Sequence, residues 1–593
     1  MISLTFMLSL LRSILRENPR LWDHGVFVST EVKMGTARGW VGTAPQVAGG
    51  TLVATAVLTS WAAVAVAGLP NPDPDNGAIS LPPGFRALVV ADDLGPLRFL
   101  TVATNGDVYV KTSGDGIIAL RDQDGDGRAE IHQKFGSGGG TGIALRDGSL
   151  YHSSTSAVYR YRMAPGELTP RGEPETVISG LPSEHQHDAK SFAFDDAGQL
   201  FVEVGSPSNS FGHPDRSPGA RGTGKDATEF LKTHGGFWRF DPNKLGQTEA
   251  DGVHFSTGHR HVLAFAWNPV SRAFFFVMMG RDQLNTVDPD HYDDDDNAEL
   301  PAEEMHRLAQ GANYGWPYTY YDPLKKARMV APEFGGDNQK RAESGRYPEP
   351  LIAFPAHWAP LQMTFYRGDQ FPPKYRGGAF IAFHGSWNRA PKPQKGYNIT
   401  FVPFDEKGMP RGDYEVFADG FAGKKEFTNP GDARFRPAGV AVGPDGSLYV
   451  ADSEKGRVWR IIYTGETGPA ATTVESATPR TAAVADETRG GKLYAQACAS
   501  CHMADGTGVP HMHPALVGSA VVSGDPATLV RVLLRGPAAA LPSGRPTYSN
   551  PMPPFDSMTD EDLAAVLTYL RSAFGKGAPP VTAASVAAQR AAH

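Results

Sequence analysis

Cysteine is nearly absent, with two residues in a chain of 593. Both fall in one short stretch, at Cys498 and Cys501, so no framework of structural disulfides can exist. No second cysteine pair is present to complete the four ligands of a structural zinc site. An excess of positive charge is missing as well: the net charge is −8, which excludes the basic face that nucleic acid requires of a partner. The strongest apolar run, Leu52 to Ala67, is shorter than the ~20 residues of a comfortable membrane span. What is abundant is glycine and proline, 67 and 48 residues, enough for many turns between short strands and therefore in favour of a mainly β body. A single core rarely grows beyond about 300 residues, so this length implies more than one domain, one large and one small.

The two cysteines stand in Cys498-Ala499-Ser500-Cys501-His502. Two thiols separated by two residues and followed at once by histidine form the covalent attachment site of haem c: each thiol adds to one vinyl group and the imidazole of His502 binds the iron. The other reading, a redox dithiol that happens to precede a histidine, has no further sequence feature behind it. Iron held by His502 needs a second axial ligand, and a methionine thioether is the soft choice. Met552 fits best, because Asn550-Pro551-Met552-Pro553-Pro554-Phe555 is a proline-stiffened loop that can hold a side chain against a flat cofactor. Met503, Met512 and Met558 lack that setting.

Residues 1–67 read as a leader. Met34 is a plausible true start, since Lys33 and Arg38 then flank the beginning of an export signal whose apolar run ends in Ala65-Val66-Ala67 before a cleavage point near Gly68. Left uncleaved, the segment becomes an anchor, and only then is the membrane a partner. Covalent haem attachment in bacteria takes place outside the cytoplasmic membrane, so motif and signal both point to the periplasm. From Leu81 to Tyr463 a glycine turn followed by an alternating apolar strand recurs at Asn105–Val110, Asp147–Tyr151, Ala197–Val202 and Pro444–Val450, with degenerate copies at Trp267–Val277 and Tyr375–Phe383. Six hairpin units that cannot bury their own faces are the signature of a β-propeller, over residues 78–463, with a β-sandwich as the competing fold. Residues 464–486 turn to Thr, Ala, Pro and Glu without apolar period and read as a linker. Residues 487–575 form a small all-α domain, ending in a helix that Thr559-Asp560-Glu561-Asp562 caps and Leu563, Val566, Leu567 and Leu570 make amphipathic. The tail 576–593 reads as disordered.

Within the large domain, Leu81-Pro82-Pro83-Gly84-Phe85, His187 with Lys190, Gly258-His259-Arg260, Gly280-Arg281-Asp282, Asn313-Tyr314-Gly315-Trp316-Pro317, His384-Gly385-Ser386-Trp387-Asn388-Arg389 and Arg436-Pro437 occur in one order. That order resembles the sorbosone and aldose sugar dehydrogenases that depend on pyrroloquinoline quinone (PQQ), over most of residues 81–463. Residues 487–575 are similar to the mono-haem cytochromes c fused to or partnered with periplasmic dehydrogenases. The resemblance implies a six-bladed propeller with quinone and substrate at the loops of one face. It implies that His187, with His185 as its rival, is the base for the substrate hydroxyl, a task imidazole suits near neutral pH. The quinone is a flat tricarboxylate, and arginine's planar fork both pairs with carboxylates and stacks on rings. Arg260, His261, Asn388, Arg389, Arg434 and Arg436 are the expected contacts. His261 stands where the family usually has asparagine, and Ser206 where soluble glucose dehydrogenases have aspartate; the latter suits the sorbosone-like branch. Calcium is expected as a Lewis acid near Gly280-Arg281-Asp282. A second calcium position is Asp122, Asp124 and Asp126, whose alternating carboxylates follow a calcium loop except that its twelfth position is Gln133.

The expectation is a periplasmic quinohaemoprotein: a sugar, hemiacetal or aldehyde hydrate loses hydride to the quinone, and electrons leave singly through the haem to an external acceptor such as another cytochrome or a terminal oxidase. The alternative, which His261 favours, is a non-catalytic binding propeller fused to a relay or sensor cytochrome.

Overall fold

In a computed structural model of the chain, each of the six glycine-turn hairpins becomes the first two strands of a four-stranded antiparallel sheet. The structure describes residues 69–592 apart from 185, 466–487, 510–511, 547 and 549–551. The expected leader and most of the expected linker therefore lie outside the described residues. The first strands, Leu97–Val102, Ile143–Arg146, Phe192–Phe194, Ala264–Asn268, Pro360–Phe365 and Pro437–Val442, form the innermost layer of six blades. Second strands are buried on both faces, as in the Ala273–Met278 run of Phe274, Phe275 and Phe276, because each blade is sandwiched between two others. The outermost strand Ile131–Phe135 is exposed at its three central positions, so burial falls from axis to rim. This is a six-bladed propeller, not a sandwich.

The ring is closed by a strand from the other end of the domain. Phe85–Ala91 pairs with Val458–Tyr463 in the sixth blade, with Phe85 opposite Tyr463 and Ala87 opposite Ile461. Closure pairs the outer edge of Val458–Tyr463 and completes the sixth blade as a four-stranded sheet. The Leu81–Phe85 motif belongs to this seal: Phe85 meets Phe371, Tyr375 and Phe417 edge-on at centroid distances of 4.8, 5.3 and 4.9 Å. Such contacts add about 0.5–1.5 kcal/mol each beyond the area they bury.

The C-terminal domain is helical. The Arg489–Ala497 and Asp560–Ala573 helices cross so closely that a Cβ on Gly490 would come within 2.3 Å of the Ala565 carbonyl oxygen. Thr559 caps the second of them by accepting from the Asp562 amide at 3.1 Å, and Leu563, Val566, Leu567 and Leu570 are buried as their spacing predicts. Among the described residues no helix is long and apolar enough to cross a membrane.

The expected disordered tail is corrected. Ala583–Ala591 is a helix capped by Thr582, with Val586 fully buried against the domain core. Arg590 ties it down, donating to Asp560 at 2.8 Å and to the Asp556 and Met558 carbonyls at 2.6 and 2.7 Å. The tail read as disordered is rich in alanine, the strongest helix former. Ending the chain after Ala578 should therefore cost the haem domain about 3–6 kcal/mol, the scale of burying Val581 and Val586. Thermal loss of the haem absorption spectrum reads this; an unchanged midpoint would show that the helix does not belong to the fold.

Candidate active site and haem site

Where the six innermost strands begin, their preceding loops meet around a cavity of about 400 Å³. A larger cavity of about 760 Å³ lies at the opposite ends of the same strands, but Arg146, Arg367 and Asp369 are the charged groups lining it and no titratable cluster converges there. The chemistry lies at the first mouth. Its wall carries Arg98, Arg216, Arg260 and Arg436, together with His187, His261, His357 and His384.

The arginines are held rather than free. Arg260 donates to Asp282 Oδ2 at 2.6 Å and to the Asn209 side chain and carbonyl at 3.1 and 3.2 Å. Arg216 reaches the same Asp282 Oδ2 at 3.0 Å. Asn209 closes the clamp, accepting from the Asp282 amide at 2.9 Å and donating to its carbonyl at 2.9 Å. Burial alone would raise the Asp282 carboxyl, but Arg260 and Arg216 outweigh it and hold the group well below the usual carboxylate range. Arg436 donates to the Gly385 and His384 carbonyls at 2.7 and 3.2 Å, which gives the His384-Gly385 motif its role. At Gly385, with φ 75°, a Cβ would come within 2.2 Å of the Tyr397 ring. Gly258 likewise packs on the Asn313-Tyr314-Gly315-Trp316 motif, since a Cβ there would come within 2.1 Å of Asn313 Oδ1. Trp316 in turn donates to the Asn209 carbonyl at 2.9 Å. Two motifs that look unrelated in sequence thus hold one arginine from behind.

His187 sits in the pocket with a left-handed backbone, φ 53°. Such a conformation is uncommon outside glycine and clusters at functional sites. Its Nδ1 donates to the Ser206 carbonyl at 2.6 Å, which leaves Nε2 as the nitrogen with a free lone pair. Burial, then Arg260, His261 and Arg216, push its pKa well below 6.5, so the imidazole is neutral and able to accept a proton. His261 stacks on it at 4.9 Å and faces buried Glu203 at 3.3 Å. Gly205 makes room for both: a Cβ there would come within 2.9 Å of His187 Cβ and of His261 Nδ1. The rival base, His185, lies outside the described residues.

Three expected quinone contacts are corrected. Arg389 is spent on Glu299 at 2.6 Å and on the Ala298, Ala356 and Pro393 carbonyls. Asn388 binds His357 at 3.2 Å behind the wall and does not line the pocket. Arg434 is exposed and lies over Phe435 at 5.1 Å. Of the expected calcium residues, Gly280 and Asp282 line the pocket, but Arg281 pairs with buried Glu333 away from it, and the Asp282 carboxylate is engaged by two guanidiniums. Asp122, Asp124 and Asp126 do converge, joined by Glu130, with oxygens within 4.8 Å of one another. Sequence reasoning missed Arg98, Arg216 and Glu303. Glu303 lines the pocket, accepts from the Gly280 and Ala359 amides at 2.8 and 2.9 Å, and is pushed by burial to a pKa of about 7. The strand that carries it, Glu303–Arg307, reads Glu-Glu-Met-His-Arg, so nothing in its sequence marks it as buried, and only the fold shows the carboxylate in the wall.

In the C-terminal domain Cys498, Cys501, His502 and Met552 line one enclosed cavity. His502 Nδ1 donates to the Pro514 carbonyl at 2.9 Å, orienting the ring with Nε2 left for iron. Burial raises the thiols to about 12 at Cys498 and about 11 at Cys501, the opposite of the depressed value a redox dithiol requires. This donor set fits haem c. Asn550 and Pro551 of the ligand loop lie outside the described residues.

The chain matches the TrAA12-like family over residues 79–464 and the cytochrome c family over residues 487–574. It is 28% identical over 189 residues to a pyrroloquinoline quinone-dependent pyranose dehydrogenase of Coprinopsis cinerea, covering 27% of this chain and 25% of that one. It is 36% identical over 111 residues to cytochrome c-552 of Thermus thermophilus, covering 17% of this chain and 84% of that one. Apart from such small cytochromes, the chain spans no more than about half the length of the curated relatives it matches. The calcium structure of a Trichoderma reesei carbohydrate-active enzyme of family AA12 superposes with a TM-score of 0.54 at 20% identity, over 65% of this chain and 97% of that one, a likeness of fold.

Two outcomes follow from this geometry. Met552→Ala should abolish the methionine–iron absorption band while the propeller melts as before; a retained band would move the ligand elsewhere. Because unfolded histidine titrates near 6.5 and folded His187 well below it, its contribution to stability is complete above pH 6.5 and is lost as pH falls through that value. In quinone-free protein His187→Gln should therefore lose less melting temperature between pH 7 and pH 5 than the parent does, and equal losses would contradict the buried neutral state.

Proposed function

The chain belongs to the TrAA12-like family and carries a cytochrome c domain, and from that premise we propose that it is a quinohaemoprotein that oxidises a sugar, hemiacetal or aldehyde hydrate. The observation that carries this reading is the convergence of a neutral imidazole, His187, with four arginines at one mouth of the propeller. Four guanidiniums share the wall with four carboxylates, Asp188, Asp282, Glu303 and Glu454, so what the pocket offers a polyanion is fixed arginine forks rather than an excess of positive charge. The pyranose dehydrogenase of C. cinerea depends on pyrroloquinoline quinone, and this pocket has the guanidinium donors to hold the same tricarboxylate. The quinone, when bound, supplies a two-electron acceptor for substrate hydride.

His187 then takes the hydroxyl proton on Nε2, while the Ser206 carbonyl keeps the ring in the required tautomer. Arg260 and Arg216, fixed on Asp282, and Arg436, fixed on the Gly385 carbonyl, orient an anion without reorganising. His261, the departure that favoured a binding module, adds a second ring beside the base rather than blocking it. Cys498, Cys501, His502 and Met552 hold the haem that carries electrons singly to an external redox partner. For calcium, which the T. reesei structure contains, the Asp122, Asp124, Asp126 and Glu130 loop offers the harder oxygen set, and beside the quinone Gly280 offers backbone oxygen. Export to the periplasm is the location that haem attachment asks for.

The test is dye reduction by quinone-free protein with a panel of aldoses, ketoses and aldehydes, before and after adding quinone and calcium. A quinone-dependent rate is expected, and its absence on every substrate would sink the enzyme reading. In quinone titrations followed by protein fluorescence, Arg436→Ala should weaken binding about tenfold or more, the cost of one desolvated charged hydrogen bond. Arg434→Ala should leave it unchanged.

A further inference from the structure

The wall of the quinone pocket is not made by the propeller alone. Met512, from the cytochrome domain, lines it. Beside it Trp387 of the propeller is buried together with Met503 and Val509 of the cytochrome, at 2%, 3% and 1% exposure, and the Trp387 ring meets His513 edge-on at 4.8 Å. Side-chain hydrogen bonds flank this plug: Asn429 to Thr507 at 2.6 Å and Gln283 to Ser500 at 3.1 Å. Gln283 also packs on the haem cavity, and Arg216 lines both that cavity and the quinone pocket. One guanidinium layer therefore separates the two chambers, and the same face that brings the haem motif close reaches over the edge of the mouth with Met512.

Resting on the dehydrogenase reading above, we infer that the docked cytochrome domain is the roof of the substrate chamber, with Met512 as its size-limiting residue, and that the enzyme is selective for single-ring sugars over oligosaccharides. The volume supports this. About 400 Å³ is near the lower end of ligand pockets, ~300–1,000 Å³, and it has to take a tricyclic cofactor and a substrate together. One pyranose ring beside the cofactor uses that space, whereas a second or third ring collides with Met512 unless the domain lifts. The plug is small and its hydrogen bonds few, so lifting is possible, but it carries the haem away from the pocket. Selectivity and electron exit are thereby coupled.

The experiment uses the full-length holoprotein and compares a monosaccharide with its trisaccharide under a small dye acceptor. The parent should favour the monosaccharide in kcat/KM by at least tenfold. Met512→Ala, which shortens the roof, and Asn429→Ala, which loosens it, should each shrink that ratio at least threefold with an unaltered haem spectrum. A second readout needs no turnover: the emission lost in Trp387→Phe measures Trp387, which under a docked roof is quenched by haem and shielded from acrylamide, and which Asn429→Ala should brighten and expose. An unchanged ratio in both variants, or a Trp387 already open to acrylamide in the parent, overturns the roof. A shielded Trp387 with no turnover of any sugar overturns the dehydrogenase reading instead and leaves the covering of the mouth standing.

Discussion

One largely buried carboxylate organises this molecule's working face. Asp282 receives Arg260 and Arg216 on the same oxygen, at 2.6 and 3.0 Å, and its backbone is clamped by Asn209. Arg260 is thereby presented to the pocket, and Arg216 is placed between that pocket and the haem cavity. A buried ion triad of this kind adds little net stability, because desolvation consumes most of the Coulombic gain, yet removing one member leaves an uncompensated charge that costs about 3–5 kcal/mol. Its value lies in position. Two guanidiniums anchored on one carboxylate keep a fixed separation and plane, which a planar polyanion can use and a mobile pair could not offer.

The base is set by the same economy of backbone. His187 takes a left-handed φ, donates to the Ser206 carbonyl, directly after the tightly packed Gly205, and stacks on a histidine that leans on Glu203. Burial makes it neutral, and the neighbouring arginines keep it so. An anion entering the pocket would relieve part of that positive field, so cofactor and base act on one another electrostatically, through no bond.

Features written in local chemistry were legible in the sequence. A glycine turn with alternating apolar neighbours declares a hairpin on its own, and all six hairpins stand where they were read. Cys498 to His502 and the proline-flanked Met552 need only their spacing and their chemistry, and they share one cavity. What failed depended on partners far along the chain. Arg389 and Arg436 both follow a motif, but whether a guanidinium faces the pocket was decided elsewhere: Glu299, in an insertion, captures the first, while the Gly385 carbonyl holds the second at the wall. Arg216 was passed over because it stands in a long irregular insertion with no motif around it, and only the fold brings it to Asp282, 66 residues on. The tail was misread because alanine looks featureless in composition while being the best helix former, and the apolar groove that receives Val586 is built by other helices.

The seam of the ring has a consequence in time. Gly77 accepts from the Trp459 indole across 382 residues of sequence, and Phe85–Ala91 finds its neighbour only in Val458–Tyr463. As the chain emerges, that first strand, apolar and unpaired, waits through the appearance of five blades before a partner exists. Contacts of such separation are slow to form and leave an adhesive edge exposed meanwhile. The propeller's share of the pocket wall, from Pro96 to Glu454, is complete only at that last pairing, and Met512 joins it from the domain beyond. The haem motif lies beyond the seam, so the order of residues is also an order of assembly: blades first, then the closing strand and with it the chamber's propeller walls, and last the electron outlet together with Met512.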